Sequence, residues 1–504
     1  MSITDLPARA YEPVLHWARE APEQTAFEEV GSGRVSYSEL SAAISASVDT
    51  LVDCGVRPGD RIMIVAENSI STVVLMFAAQ RIDAWPAIVN ARVSEGEISA
   101  MKQSLGARLI AYLIENSRAA LNHAAAMDTE ILDLPIGKVA FEATDAAAVP
   151  ERVHPENDRQ VGLLLFTSGT TGQPKVVMLS HRALLNMGSS TATARRIGPE
   201  DRLYGLAPLS HIMGVAMYIM TSVWAGATTR LVPRLDLEEL EGALKRGEIT
   251  VLMGVPTLFA RLLDYLQQRD RNLMGHRLRN LITGGAPLDP SLKARVEQVF
   301  GMPLCNGFAM TECTPILRTE LGTNAASESV GIPQGGTEIK LVAKDRDVTD
   351  GEVGELWVRG PSLMMGYYRN PEATASIFRP DGWFVTGDLA VRLPCGNYAI
   401  VGRTKEIIIR SGFNVYPGEV ETAIASHPGV AQCAVIGRPV RGGDEEIIAF
   451  VQPLPGWKMS DGDIDEHVAP LLSPYKRPNK VVIVATLPVG PTGKIWKSQL
   501  TKMT

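Results

Sequence analysis

The sequence predicts an α/β protein: a large N-terminal domain of mixed, mostly parallel sheets with helices, plus a small C-terminal α+β domain joined by a short hinge. Three observations predict it. From Arg61 onward, short β-branched runs alternate with helix-period segments, as in RIMIVAEN, STVVLMFAAQRIDA and WPAIVNAR, which is the rhythm of β-α-β units. The rhythm returns in TVLMGVP with TLFARLLDYLQQ and in LRNLITGGAP with LDPSLKARVEQVF, and in each a glycine- or proline-containing loop closes the strand. Open α/β sheets place their ligands at such carboxyl ends. After about Val330 the texture changes to short strands and turns, and a smaller unit begins near Lys405.

A chain of 504 residues exceeds one ordinary core, so two or more domains are expected. With 45% hydrophobic and 21% charged residues it reads as a folded globular protein. The net charge of -7 argues against nucleic acid or an anionic membrane as partner. Five scattered cysteines, with no C-x-x-C pair, point to neither a disulfide framework nor a zinc ribbon and fit a reducing compartment. The opening MSITDLPARAYEP has no basic n-region and no apolar h-region, so the expectation is a cytoplasmic protein. Leu203 to Thr229 carries no formal charge and is long enough to cross a bilayer, but Pro208, Ser210, His211 and several glycines interrupt it. It is read as a loop feeding a buried helix.

The strongest local signal is VGLLLFTSGTTGQPKVVMLSH, residues 161 to 181. An apolar strand empties into Thr167, Ser168, Gly169, Thr170, Thr171 and Gly172, whose hydroxyls and amides can wrap phosphate oxygens, and Lys175 adds a positive charge. This chemistry suits a polyphosphate, although the spacing is not that of a P-loop.

TSGTTGQPK resembles the signature loop of the adenylate-forming superfamily, which holds acyl- and aryl-CoA synthetases, beetle luciferases and peptide-synthetase adenylation domains. The resemblance continues in order through TGGAP (Gly284, Gly285, Ala286 and Pro287), NGFAMTE from Asn306 to Glu312, GWFVTGD ending in Asp388, GRTKE from Arg403, and PTGK ending in Lys494. It implies domains spanning 1–403, which binds AMP and the acid, and 404–504, which is mobile. It implies ATP, Mg2+ and coenzyme A as cofactors, and a small-molecule carboxylic acid as the other substrate.

The same positions make physical sense. Phe308 offers an aromatic face for a purine, and Glu312 is a hard oxygen ligand for magnesium. Thr311 can donate to the α-phosphate, Asp388 can accept the ribose hydroxyls, and Arg403 can donate to the same sugar. The nucleotide segment also includes Gly307, Ala309 and Met310. Two departures from the family pattern are Phe308, where tyrosine is usual, and Ala309, where glycine is usual.

The implied reaction has two steps. The acid attacks the α-phosphorus and pyrophosphate leaves; the coenzyme A thiolate then attacks the mixed anhydride and AMP leaves. Lys494 supplies positive potential for the first step. The second is reached by rotation about Lys405, which presents Ser411, Gly412 and Phe413 to the coenzyme A tunnel. The acyl pocket is expected from Ser210, His211, Met213, Met217, Thr283, Pro315 and Ile316, with His211 orienting the acid or gating the tunnel.

No arginine or lysine falls at these pocket positions and no aspartate stands near His211, which disfavours dicarboxylic and amino acids. A hydrophobic monocarboxylic acid remains: aryl, arylpropenoic or medium-chain fatty. A carrier-protein-loading enzyme, a luciferase-like oxygenase and a non-catalytic acyl-nucleotide-binding scaffold are the alternatives. Pro488, four further residues and Gly493-Lys494 resemble the site modified in bacterial acyl-CoA synthetases, so a protein acetyltransferase and deacylase acting on Lys494 are expected partners.

Overall fold

The computed structural model describes residues 6–30, 33–143, 148–167, 175–273, 275–410, 413–440, 445–489 and 495–503. Among these, two large sheets carry the first four-fifths of the chain. One has fourteen strands and the other eight.

The eight-stranded sheet is centred on Arg61–Ala66, which runs parallel to both Trp85–Asn90 and Leu109–Tyr112. Every residue of Arg61–Ala66 is buried, which is why its sequence is a continuous apolar run after the arginine rather than an alternation. The crossover helix Ile70–Arg81 is capped by Ser69, whose side chain accepts from the Thr72 N–H. Ten of its residues are buried, so it is apolar on all sides. Val161–Thr167 and Lys175–Ser180 extend the sheet as an antiparallel pair, and the short strand Gly366–Tyr367 closes that edge.

In the fourteen-stranded sheet a parallel block runs through Thr25–Glu29, Thr228–Leu231, Arg202–Gly205, Val251–Gly254, Asn280–Gly284 and Cys305–Met310. Antiparallel pairing takes over at Cys313–Arg318 and continues to the far edge. The stretch from Leu203 to Thr229 resolves into a strand, a loop and a helical segment, from Ile212–Gly214 through the wide turn Val215–Met220 to Thr221–Ala225. Val215 to Val223 are almost wholly buried inside the main core. Among the described residues, no helix is long and apolar enough to cross a membrane. Against this segment lies the helix His181–Arg195, so close that a side chain at Gly188 would stand 2.4 Å from the Met220 carbonyl oxygen.

From Ile408 onward two further cores draw only on later residues. They pack Pro417–Ala425 and Asp461–Val468 against the sheet Val430–Pro439, Glu445–Pro453 and Lys480–Ile483. The junction itself is a short 3-10 turn, Thr404–Glu406. On its near side Arg403 is ion-paired to Asp388 at 2.9 Å, and the Thr404 hydroxyl bonds Glu355 at 3.2 Å. On its far side Lys497 bridges Glu406 at 3.0 Å and Glu421 at 2.9 Å. Lys405 is exposed between them.

Candidate active site

Thr311 and Glu312 form the tip of a tight hairpin between Cys305–Met310 and Cys313–Arg318, in which Met310 pairs with Cys313. The hairpin projects from the carboxyl end of the parallel block, beside the end of Asn280–Gly284, where Gly284 pairs with Gly307. The tip is fixed from below: the Thr314 hydroxyl donates to the Met310 carbonyl at 2.7 Å, and the Met364 N–H donates to the Glu312 carbonyl at 2.8 Å.

Glu312 is buried, and its Oε1 accepts a 2.8 Å bond from the Tyr367 hydroxyl. Burial first, and then the Glu312 charge, push the Tyr367 phenol well above its ordinary range, so it stays a donor. The Lys175 ammonium lies 4.7 Å from the centre of the same ring. Tyr367 therefore links the strand that leaves the glycine- and threonine-rich loop to the carboxylate at the hairpin tip. Sequence reasoning missed it. Its position follows from the pairing of Gly366–Tyr367 with Lys175–Ser180, which no local spacing reveals.

The donor set fits a magnesium ion shared with a polyphosphate. A single hard carboxylate is present, and among the described residues no group of three or more potential ligands surrounds it. Such a site suits an ion that keeps its waters and takes most of its remaining oxygens from phosphate.

Asp388 and Arg403 are cross-strand partners in Phe384–Arg392 and Tyr398–Arg403, and the Arg403 Nε donates to Asp388 Oδ1 at 2.9 Å. The Asp388 side chain is nearly buried, whereas that of Arg403 is 45% exposed.

Among the acyl-pocket positions, Met213 is brought against the Gly284–Pro287 loop: a Cβ at Gly285 would lie 3.0 Å from its Cε. The positive φ of Gly285, 78°, also favours glycine there. His211 caps the short helix that follows, its Nδ1 accepting from the Met213 N–H at 3.2 Å. Ser210 is part-exposed, while Met217, Thr283, Pro315 and Ile316 are buried. Phe308 and Met310 are part-buried, Ala309 is exposed and Asn306 is buried, its side chain reaching the Ser329 carbonyl at 3.3 Å.

Cationic groups come closer to these positions than the linear sequence implies. Arg318 pairs with Gly307, and its Cγ lies 3.4 Å from where a Gly307 Cβ would stand.

Phe413 is exposed and stacks on Tyr475, with ring centres 4.7 Å apart. Ser168, Gly169, Thr170, Thr171, Gly172, Ser411, Gly412 and Lys494 lie outside the described residues, while Thr167 and Lys175 pair at the base of the first loop and Val489 and Ile495 bridge across the last.

The AMP-binding enzyme family matches residues 14–368, and the AMP-binding enzyme C-terminal domain matches residues 419–494. A feruloyl-CoA synthase from Amycolatopsis sp is 31% identical over 486 residues, covering 96% of each chain. A 3-[(3aS,4S,7aS)-7a-methyl-1,5-dioxo-octahydro-1H-inden-4-yl]propanoyl:CoA ligase from Mycobacterium tuberculosis is 31% identical over 514 residues, covering 96% of this chain and 97% of that one. Among solved structures, ATP-bound MatB from Rhodopseudomonas palustris superposes with a TM-score of 0.87 at 27% identity, over 99% of both chains. The chain belongs to the adenylate-forming acyl-CoA synthetase family, and is an AMP-forming acid–CoA ligase using ATP and coenzyme A.

Proposed function

We propose that the acid has an apolar body of aryl, arylpropenoic or medium-chain fatty type, bound beside Met213 and the Gly284–Pro287 loop at the carboxyl end of the parallel block. The observation that carries this reading is the seating of Met213 on Gly285, which sets a deformable apolar side chain between the nucleotide loop and the carboxyl end of the strands. The two relatives act, by name, on acids with unlike bodies, so their names do not choose among these classes.

In this reading residues 1–403 bind nucleotide and acid, and 404–504 move. The nucleotide lies along Thr167 to Lys175, Gly284 to Pro287 and Asn306 to Met310, with its ribose on Asp388 and Arg403. Thr311 donates to the α-phosphate, and Glu312, oriented by Tyr367, would hold Mg2+. Magnesium contributes charge neutralisation there. Lys494 adds positive potential as the acid oxygen bonds to the α-phosphorus and pyrophosphate departs. Rotation at Lys405, supported by the ion pairs that grip the chain on either side of it, then brings Ser411, Gly412 and Phe413 to the pantetheine path. His211, held by its bond to Met213, borders that path.

The test is pyrophosphate release across a panel of acids, with and without coenzyme A. Apolar-bodied acids are expected to release pyrophosphate, and coenzyme A to convert the adenylate to thioester with loss of AMP. Amino acids as the best substrates would overturn the pocket reading.

A further inference from the structure

We propose that the acid carries a second anionic group, a carboxylate or sulfonate, at its far end, bound by Arg318 and Arg195 beneath Gly307. This rests on the acid-activating reading above and adds to it the chemistry of the substrate's other end.

Arg318 stands on the same face of its strand as Ile316, two residues away, and opposite Gly307. That face meets the helix His181–Arg195. The Arg318 Nη2 donates to Thr191 Oγ1 at 2.6 Å, and from the same helix the Arg195 Nη1 donates to the Thr319 carbonyl at 2.9 Å. The two guanidinium groups thus close one side of the hairpin below its tip.

Neither cation meets a carboxylate, although the Cys305 side chain lies against Arg195. Arg195 is only 2% exposed, and its Nη2 and the Arg318 Nη1 are buried without a hydrogen-bond partner. Among the described residues no carboxylate pairs with either side chain. Burial, and then the neighbouring Arg195 cation, push Arg318 down to about 9, and burial lowers Arg195 as well. Two uncompensated cations with unused N–H groups form a strong site for an anion that accepts from both.

The approach runs past Gly307: it and Arg318 each keep part of their surface accessible, while the two unused N–H atoms themselves are covered. From Gly307 to the end of the strand at Met310 the rise is about 10 Å. An acid reacting at the tip with its other end at Arg318 therefore has its termini on the order of 10 Å apart. That is the length of a para-substituted cinnamic acid or a medium-chain diacid, and well beyond malonate.

The experiment compares matched pairs differing only at the far end, cinnamate with p-carboxycinnamate and octanoate with octanedioate, by kcat/KM for acid-dependent pyrophosphate release. The diacid is expected to exceed its partner by about 10²-fold. Arg318→Met should abolish that ratio through a raised KM for the diacid, and Arg318→Lys should keep part of it. If Arg318→Met does not fold, thermal melting of the unaltered chain decides: octanedioate should raise Tm where octanoate at the same concentration does not. Release with monoacids only, equal Tm shifts, or an equal loss for both members of a pair in Arg318→Met overturns the anion site and leaves the ligase standing. No release with any acid overturns both.

Discussion

The region before residue 404 and the region after it hold their functional positions in opposite ways. In the first, charged groups meet side chains from other strands: Glu312 meets Tyr367, fifty-five residues away, Lys175 lies on the same ring, and Asp388 meets Arg403 on the adjoining strand. In the second, apolar side chains near the positions of interest face outward, with Phe413 55%, Val489 49% and Trp496 41% exposed. A site that must hold polyphosphate in one geometry gains from fixed partners, because the dipoles are aligned before the reaction starts. A unit that must dock in two places gains from surface it can cover in either. In the proposed reading, preorganisation and mobility are divided along the chain rather than mixed.

The sharpest way to break this comparison is Lys494→Ala, which should lower acyl-adenylate formation by roughly 10² to 10³, the effect of removing one preorganised charge. Thioester formation from supplied adenylate should change far less. Rapid-quench measurement of both half-reactions would show whether the two falls are equal, an outcome incompatible with the proposed division of labour.

Acid should separate the regions next. His181 is fully buried in the first region, its Nδ1 accepting from the Ala10 N–H at 3.1 Å, and burial pushes it down to about 3. A folded pKa below the unfolded value near 6.5 gives stability that is complete above pH 6.5 and lost as pH falls toward 3. Between pH 6.5 and 5 the expected loss is about 2 kcal/mol. The part-exposed His427 of the second region is also lowered, by burial and then by His467, but faces solvent and should contribute less. His181→Asn, whose Oδ1 can take over the Ala10 bond, should flatten the pH dependence of unfolding. Hydrogen exchange at pH 7 and 5 should show the first region loosening ahead of the second.

The smallest effect is expected at the seam. Lys497→Met leaves Glu406 and Glu421 facing each other without their shared cation, at a cost of about 1 kcal/mol given the partial exposure of all three groups. Calorimetry should assign that loss to the second region, with adenylation unchanged. A loss assigned to the first region would mean that the two melt as one unit.

Reading the sequence alone reaches a good deal of this. The alternation from Arg61 to Asn90 is legible because buried parallel strands are unbroken apolar runs, and collinear motifs mark the loop before Lys175 and the hairpin at Glu312. Tyr367 is not legible, because antiparallel pairing across nearly two hundred residues brings it to Val177, and register is fixed by burial rather than by spacing. Arg318 is missed for a related reason: it follows the motif in sequence but folds back against Gly307. The helix His181–Arg195 hides Asn186, Ser189, Ser190 and Thr191 in the interior, where a periodicity argument would turn polar residues outward. Asn186 satisfies itself on the Gly335 carbonyl at 2.8 Å and the Ser362 hydroxyl at 2.7 Å.

The seam between the regions has a mechanical consequence. With Arg403 tied to Asp388 and Glu406 tied to Lys497, only Thr404 and Lys405 lie between the two grips, and Thr404 is itself lightly held by Glu355. Planar peptide bonds leave such a pair about four soft torsions. In the proposed rotation a linker that short acts as an axle rather than a tether, and a single torsion locked by substitution would hold the following unit in one orientation.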